Sequence, residues 1–296
     1  MAGPVPGPHT TGPRPNRIGR YTVEAPIGWG AAAVVHRARG PNNQVVALKI
    51  LHPEAARFPQ MRQSIQQEYQ VLSRLRHPGI LRVYDAGETN GLFYIVMEYL
   101  EGETLEAFLE RAKVASEEMA IRIGRQVAEA LDYLHAQGYV HRDVKTSNIF
   151  LTRSGRAVLF DFGTVRRMDE PPTEQGIYGT PAFLAPELIQ PEQPVDGRAD
   201  LYSLGVVLYR MVSGRKPFYG SRQEVLDAHL HQKPPPPSDF HWVSPELEQV
   251  ICKALEKAPQ DRYQTGREMA EALAAVKVTP PKPKPPLTQR LRTWIG

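Results

Sequence analysis

The chain has 296 residues, 41% of them hydrophobic and 23% charged, a make-up that excludes a fibre or a chain too polar to fold. Its formal charge of +4 sits at the ends: Arg14, Arg17 and Arg20 lie in residues 1–20 and Lys277, Lys282, Lys284, Arg290 and Arg292 in residues 277–296, both without an acid. Setting these eight aside leaves 28 basic against 32 acidic side chains, which argues against a nucleic-acid-binding body, and one cysteine, Cys252, allows neither a disulfide framework nor a cysteine metal site.

Residues 1–17 are rich in proline and glycine, a composition that predicts disorder. No secretory signal opens the chain, and no run of eighteen apolar residues would span a membrane, so a reducing cytoplasm is the expected setting. From Tyr21 to about Leu100 the pattern predicts mostly strands, among them Val45–Leu51 and Phe93–Met97, with one helix over about Pro59–Arg76 carrying Ile65, Leu72 and Leu75 at helical spacing. Past residue 103 the pattern turns helical. Ser116 heads a helix with Ala120, Ile123, Val127, Leu131 and Leu134 on one face, ended by Gly138. Asp200 to Val212 predicts a buried helix closed by Gly214. Ser221 with Glu224, and Thr265 with Glu268, have the spacing of capping boxes, and Ser244-Pro245 opens a third late helix. Cys252, between apolar neighbours, is expected to be a buried small hydrophobe, and His229 and His231 to be surface residues rather than metal ligands. The layout is a small β-rich lobe followed by a larger α-rich one.

Five segments carry chemistry. Ile27-Gly28-Trp29-Gly30-Ala31-Ala32-Ala33-Val34-Val35 has two glycines that let a strand–turn–strand close over phosphates, although an ordinary hairpin would look the same. Lys49 ends the apolar run Val46-Ala47-Leu48, and Glu68 on the expected helix is placed to hold it. His141-Arg142-Asp143-Val144-Lys145-Thr146-Ser147-Asn148 and Asp161-Phe162-Gly163 put Asp143, Asn148 and Asp161 on loops beside short strands, where hard oxygens suit a small cation. Gly179-Thr180-Pro181 then leads to Ala185-Pro186-Glu187.

In this order and spacing the segments resemble the eukaryotic-like protein kinase family, and most closely its bacterial serine/threonine branch, over about Ile18 to Val276. The resemblance implies an α+β bilobal fold: a β-rich lobe of about 18–98, a hinge of about 98–102 and an α-rich lobe of about 103–276. It implies a kinase that moves the γ-phosphate of ATP to serine or threonine of protein substrates, with Mg2+, or Mn2+ as an alternative, as cofactor. Ile27, the 28–35 loop, Ala47, Met97, Glu98, Leu100 and Phe150 would enclose the nucleotide, with Met97 at the back of the adenine pocket. Lys49, oriented by Glu68, would grip the α- and β-phosphates; Asp143 would take the hydroxyl proton; Lys145 would offset charge on the transferred group; Asn148 and Asp161 would hold the metal. Glu187 would pair with Arg262, and Asp200 would brace the catalytic loop. Lys145 and Thr180 fit the serine/threonine branch.

Departures are few. Ala33 replaces a third glycine, Trp29 is bulkier than expected, Phe183 stands where tyrosine is more usual, and Thr146 replaces a proline, a change expected to cost rigidity. Arg142 is the expected clamp for a phosphate on the activation segment, whose hydroxyls between Gly163 and Tyr178 are Thr164 and Thr173; Thr164 lies too near the metal, so Thr173 is the expected autophosphorylation site. The tail 277–296 combines a proline–lysine spacer with an apolar face at Leu287, Leu291, Trp294 and Ile295, a candidate docking segment for a partner or membrane surface. The competing readings are a pseudokinase, binding nucleotide as a scaffold, and a purely structural module.

Overall fold

The computed structural model describes residues 17–170, 179–190 and 194–278; the stretch before Arg17, Thr173 and the docking face of the tail lie outside the described residues. The first part is a six-stranded antiparallel sheet in the order β1-β2-β3-β4-β6-β5, made of β1 (Arg17–Ile18), β2 (Tyr21–Trp29), β3 (Ala33–Arg39), β4 (Val45–Leu51), β5 (Val83–Thr89) and β6 (Leu92–Glu98). The first four strands follow one another as neighbours, whereas β6 pairs with β4 and places β5 at the edge. Its register sets Gly28 opposite Val35, Val35 opposite Lys49, and Ala47 opposite Met97.

Between β4 and β5 come α1 (Pro53–Ala56) and α2 (Pro59–Leu72). Helix α2 packs on β5 and β6, burying Ile65, Glu68, Val71 and Leu72. The expected last turn, 73–76, is not α-helical; Arg74 and Leu75 donate instead to Val71 and Leu72, a tighter three-residue turn. The loop that follows is welded to the lower body: Leu159 N donates to Gly79 O at 2.8 Å and Leu81 N to Leu159 O at 2.9 Å.

The lower body holds α3 (Leu105–Ala112), α4 (Glu117–Ala136), α5 (Pro186–Ile189), α6 (Arg198–Ser213), α7 (Arg222–His231), α8 (Pro245–Ala254) and α9 (Gly266–Ala275). Two small sheets sit under the cleft: β7 (Gly102–Thr104) beside β9 (Ile149–Thr152) beside β10 (Ala157–Leu159), and β8 (Tyr139–Val140) with β11 (Arg166–Arg167). The Ser116 hydroxyl accepts from Met119 N and so caps α4. Helix α6 is buried almost all round, between α4 and α8. It ends where Gly214 takes φ +76°, a left-handed turn that glycine adopts without strain. No helix among the described residues is long and apolar enough to cross a membrane.

Three expectations are corrected. The Ser221/Glu224 capping box closes in both directions, but at Thr265 only half of one forms, because the Glu268 carboxylate turns to Gln264 N and Lys253. Cys252 is half-buried, on the flank of α8 rather than in its core stripe. His229 is fully buried, with its Nδ1 2.9 Å from the Tyr202 hydroxyl, while His231 is exposed.

Burial, aided by the Lys257 charge, depresses the His229 imidazole to about 4 from its ordinary 6.5. The folded chain holds it neutral, so as pH falls the unfolded chain takes the proton first. This contribution is complete above pH 6.5 and is lost progressively toward pH 4, by about 2 kcal/mol at pH 5. Denaturant titrations at pH 7 and pH 5 should show that loss, and His229→Gln should show distinctly less of it. Equal pH dependence in both proteins would refute the assignment.

Candidate active site

Lys49 lies on β4, whose alternation turns it under the sheet toward α2. Its Nζ donates to Glu68 at 2.8 and 2.6 Å and lies 3.7 Å from Asp161 Oδ1. Glu68 is only 4% exposed, so the pair is shielded from water on the helix side. Burial alone would depress the Lys49 ammonium, but Glu68 and Asp161 more than offset it and hold it above its usual value. Helix α2 also reaches the segment after Asp161: Ser64 Oγ donates to Gly163 O at 3.4 Å and Gln67 Nε2 to Val165 O at 3.2 Å.

The second group stands on the loop after β8. Asp143 Oδ2 accepts from Lys145 Nζ at 2.6 Å and Asn148 Nδ2 at 3.1 Å; its Oδ1 accepts from Thr180 N at 3.2 Å and the Thr180 hydroxyl at 3.3 Å. Lys145 Nζ also donates to Thr180 Oγ1 at 2.8 Å. Thr180 therefore belongs to the cluster itself. Just before it, Gly179 has φ +106°, and a Cβ there would lie 2.7 Å from Leu184 Cδ2, so the segment must carry glycine to pass this close.

Asp200, at the first turn of α6 and 0% exposed, fixes this loop from below. It accepts from His141 N and Arg142 N at 2.8 Å each and lies 2.8 Å from His135 Nε2. Burial alone would raise its pKa, yet the bonds from His135 and the main chain at His141 hold the carboxyl below its usual range. Arg142 is thereby kept at φ +70°. His141, wholly buried, is pushed toward the neutral form by burial, and its Nδ1 accepts from Asp143 N at 3.3 Å. Its ring meets the buried Phe162 edge-on at 4.7 Å, which joins the Asp143 loop to the Asp161 turn. Thr164 donates to His141 O at 2.9 Å, and Asp161, at φ +63°, keeps its carboxylate 46% exposed.

Around Lys49, Ala47 and Met97 are buried and Val35, Leu100 and Phe150 half-buried, whereas Ile27 and Trp29 stand exposed, Trp29 by 70%. Gly30 N donates to Ala33 O, closing the 28–35 turn on itself. Glu98 differs from the rest of the expected nucleotide set. Its carboxylate is held at 2.5 Å by Arg156, so toward a nucleotide it offers main chain only.

One contact carries no signal in the sequence. The Thr146 hydroxyl donates to the Glu106 carboxylate of α3, so the residue expected to cost rigidity instead anchors the catalytic loop. Glu187 and Arg262, by contrast, form the buried pair that the family resemblance implied, with bonds of 2.7 and 2.9 Å. As a donor set, the Asn148 amide oxygen and the Asp161 carboxylate are hard oxygens, and among the described residues no group of three or more His, Cys, Asp or Glu gathers to hold a metal. Two hard oxygen donors fit an ion that fills its remaining shell with water and phosphate oxygens.

A family model for the protein kinase domain matches residues 21–275. The chain is 38% identical over 268 residues to the serine/threonine-protein kinase PknB of Mycolicibacterium smegmatis, covering 87% of this chain and 43% of that protein. It is 37% identical over 292 residues to PknB of Mycobacterium leprae, covering 95% and 47%, and 36% identical over 266 residues to a probable serine/threonine-protein kinase of Clostridium perfringens, covering 88% and 39%. The chain thus spans less than half the length of these curated relatives.

Proposed function

Because the chain belongs to the protein kinase family, we propose that it transfers the terminal phosphate of ATP to serine and threonine hydroxyls of proteins, its own included. One observation carries the reading: Lys49 of the sheet stands 3.7 Å from Asp161, while Asp161 follows the hairpin that begins at Asn148, itself 3.1 Å from Asp143. Charged groups from both lobes meet where a triphosphate and an acceptor hydroxyl would have to meet. A nucleotide-binding scaffold would need Lys49 and Asp161 but would have no use for Asp143 held beside them, and the relatives named above are serine/threonine kinases.

In this reading Ile27, Val35, Ala47, Met97, Leu100 and Phe150 enclose the adenine, with the main chain at Glu98 and Leu100 along its edge. Gly28 to Val34, Trp29 included, cover the phosphates, and Lys49, steadied by Glu68, grips the inner two. Asn148 and Asp161 would hold Mg2+, or Mn2+, which when bound neutralises charge between phosphates. Asp143 aims the acceptor hydroxyl and takes its proton as that oxygen bonds to the γ-phosphorus and the bond to the bridging oxygen of ADP breaks. Lys145, within 2.8 Å of Thr180, stands beside the transferred group. Positioning and electrostatic stabilisation supply most of the effect. The single cysteine and the use of ATP favour a cytoplasmic setting.

Incubating the purified chain with labelled ATP tests this. Incorporation should require Mg2+ or Mn2+ and vanish with a chelator. Mapping should place label on serine or threonine, with Thr173 foremost, where the Arg142 guanidinium would grip it. A folded chain with no incorporation would refute the activity; label confined to tyrosine would refute the acceptor class; label that avoids Thr173 would refute that site alone.

A further inference from the structure

Behind the hinge, on the side away from Lys49, lies a recess of about 290 Å³ lined by Arg76, Arg82, Arg156 and Glu98, among others. Arg156 belongs to the lower body, at the foot of β10. Its guanidinium donates to Glu98 at 2.5 Å, at the end of β6, and to Pro78 O at 3.2 Å, in the loop that trails α2. One side chain therefore touches the start of the hinge and the loop behind the helix that carries Glu68. It does so from the hairpin whose two ends lead to Asn148 and Asp161.

We infer that Arg156 is a positioning residue for phosphate transfer. It sets the distance between the hinge, where the base sits, and the hairpin that presents the metal-holding groups. The inference rests on the kinase reading. The recess sharpens it, because Glu98 is the one carboxylate among three guanidinium side chains lining that wall. Removing Arg156 leaves Glu98 with two other cations nearby, whereas removing the Glu98 charge leaves three like charges facing one another. The two substitutions should therefore be unequal, with Glu98→Gln the worse. Their combination should cost less than the sum, since both disturb one contact.

The test measures KM for ATP, kcat, Mg2+-ADP affinity and Tm for the intact chain and for Arg156→Gln, Arg156→Lys, Glu98→Gln and the double variant. The expected result is a rise in KM for ATP and a loss of Mg2+-ADP affinity of about three- to tenfold, the range of a half-exposed charged hydrogen bond. KM for a protein acceptor should be unchanged, the losses sub-additive, and Arg156→Lys part-way restored. Additive losses, or a fall in Tm with nucleotide constants unchanged, would overturn the inference and mark the contact as merely structural. If the intact chain transfers no phosphate, the ADP arm still decides this point separately from the activity.

Discussion

Asp143→Asn is expected to leave the chain folded and able to bind ATP while slowing phosphate transfer by about 10²–10⁴-fold, the contribution of one positioned proton acceptor. The Asp143 carboxylate accepts four hydrogen bonds, from Lys145, Asn148, Thr180 N and the Thr180 hydroxyl. An asparagine of the same shape keeps one oxygen for them and turns an NH2 toward donors it cannot serve. More important, it has no basicity toward the acceptor hydroxyl and no negative charge to balance Lys145. In the proposed reading the nucleotide is gripped elsewhere, at Lys49, Glu68 and Asp161, so ATP affinity by calorimetry should change less than threefold. Tm should move by only a few degrees, since about 1 kcal/mol corresponds to about 2–4 °C at this size. Initial rates equal to those of the unsubstituted chain would remove Asp143 from the mechanism.

Arg262→Ala should be the most damaging change to stability, at about 3–5 kcal/mol, because it strands a buried carboxylate. Arg262 is 0% exposed at its side chain and Glu187 2%. Besides the two bonds to Glu187, the guanidinium donates to Glu256 O at 2.7 Å, Lys257 O at 2.8 Å and Arg198 O at 3.1 Å, and it stacks on the Tyr202 ring at 4.9 Å. Its removal leaves the buried Glu187 carboxylate without its two-bond donor and takes one donor from each of three carbonyls. The melting temperature should fall by about 6–20 °C. Glu187→Gln with Arg262→Met should cost less than the sum of its parts, since neither charge is then left alone. Because Glu187 stands seven residues after Thr180, transfer should weaken before the chain unfolds. A loss below about 1 kcal/mol would show that the pair's burial is not decisive.

The parts readable from sequence were those whose partners lie within one motif or one period. The strand carrying Lys49, the helix presenting Glu68, the cap at Ser116 and the glycine closing α6 follow from local pattern and steric preference, and the order of the Asp143 and Asp161 segments pointed to their meeting. What was hidden depends on contacts between distant segments. Nothing near Thr146 says that Glu106, forty residues earlier, will receive its hydroxyl. Nothing near Arg156 says that it will reach Glu98, fifty-eight residues back. His229 looked like a surface residue because it and His231, two apart on a helix, point to different sides and so do not pair as metal ligands; its burial is decided by Tyr202, Phe218 and Lys257 from other elements. At Thr265 the motif was right and its geometry half wrong, because Lys253 competes for the same carboxylate.

The bonds from His141 and Arg142 to Asp200 have a further consequence. A residue other than glycine at positive φ is unfavourable by roughly 1–3 kcal/mol when free to relax, and Arg142 sits next to Asp143, the proposed proton acceptor, in that conformation. Because a carboxylate sealed inside α6 imposes it, the unfavourable turn is met once, as the chain folds, and not again at each turnover. Substrate arrives at a loop whose shape is already decided, so its binding energy is not drawn off to order the main chain ahead of Asp143.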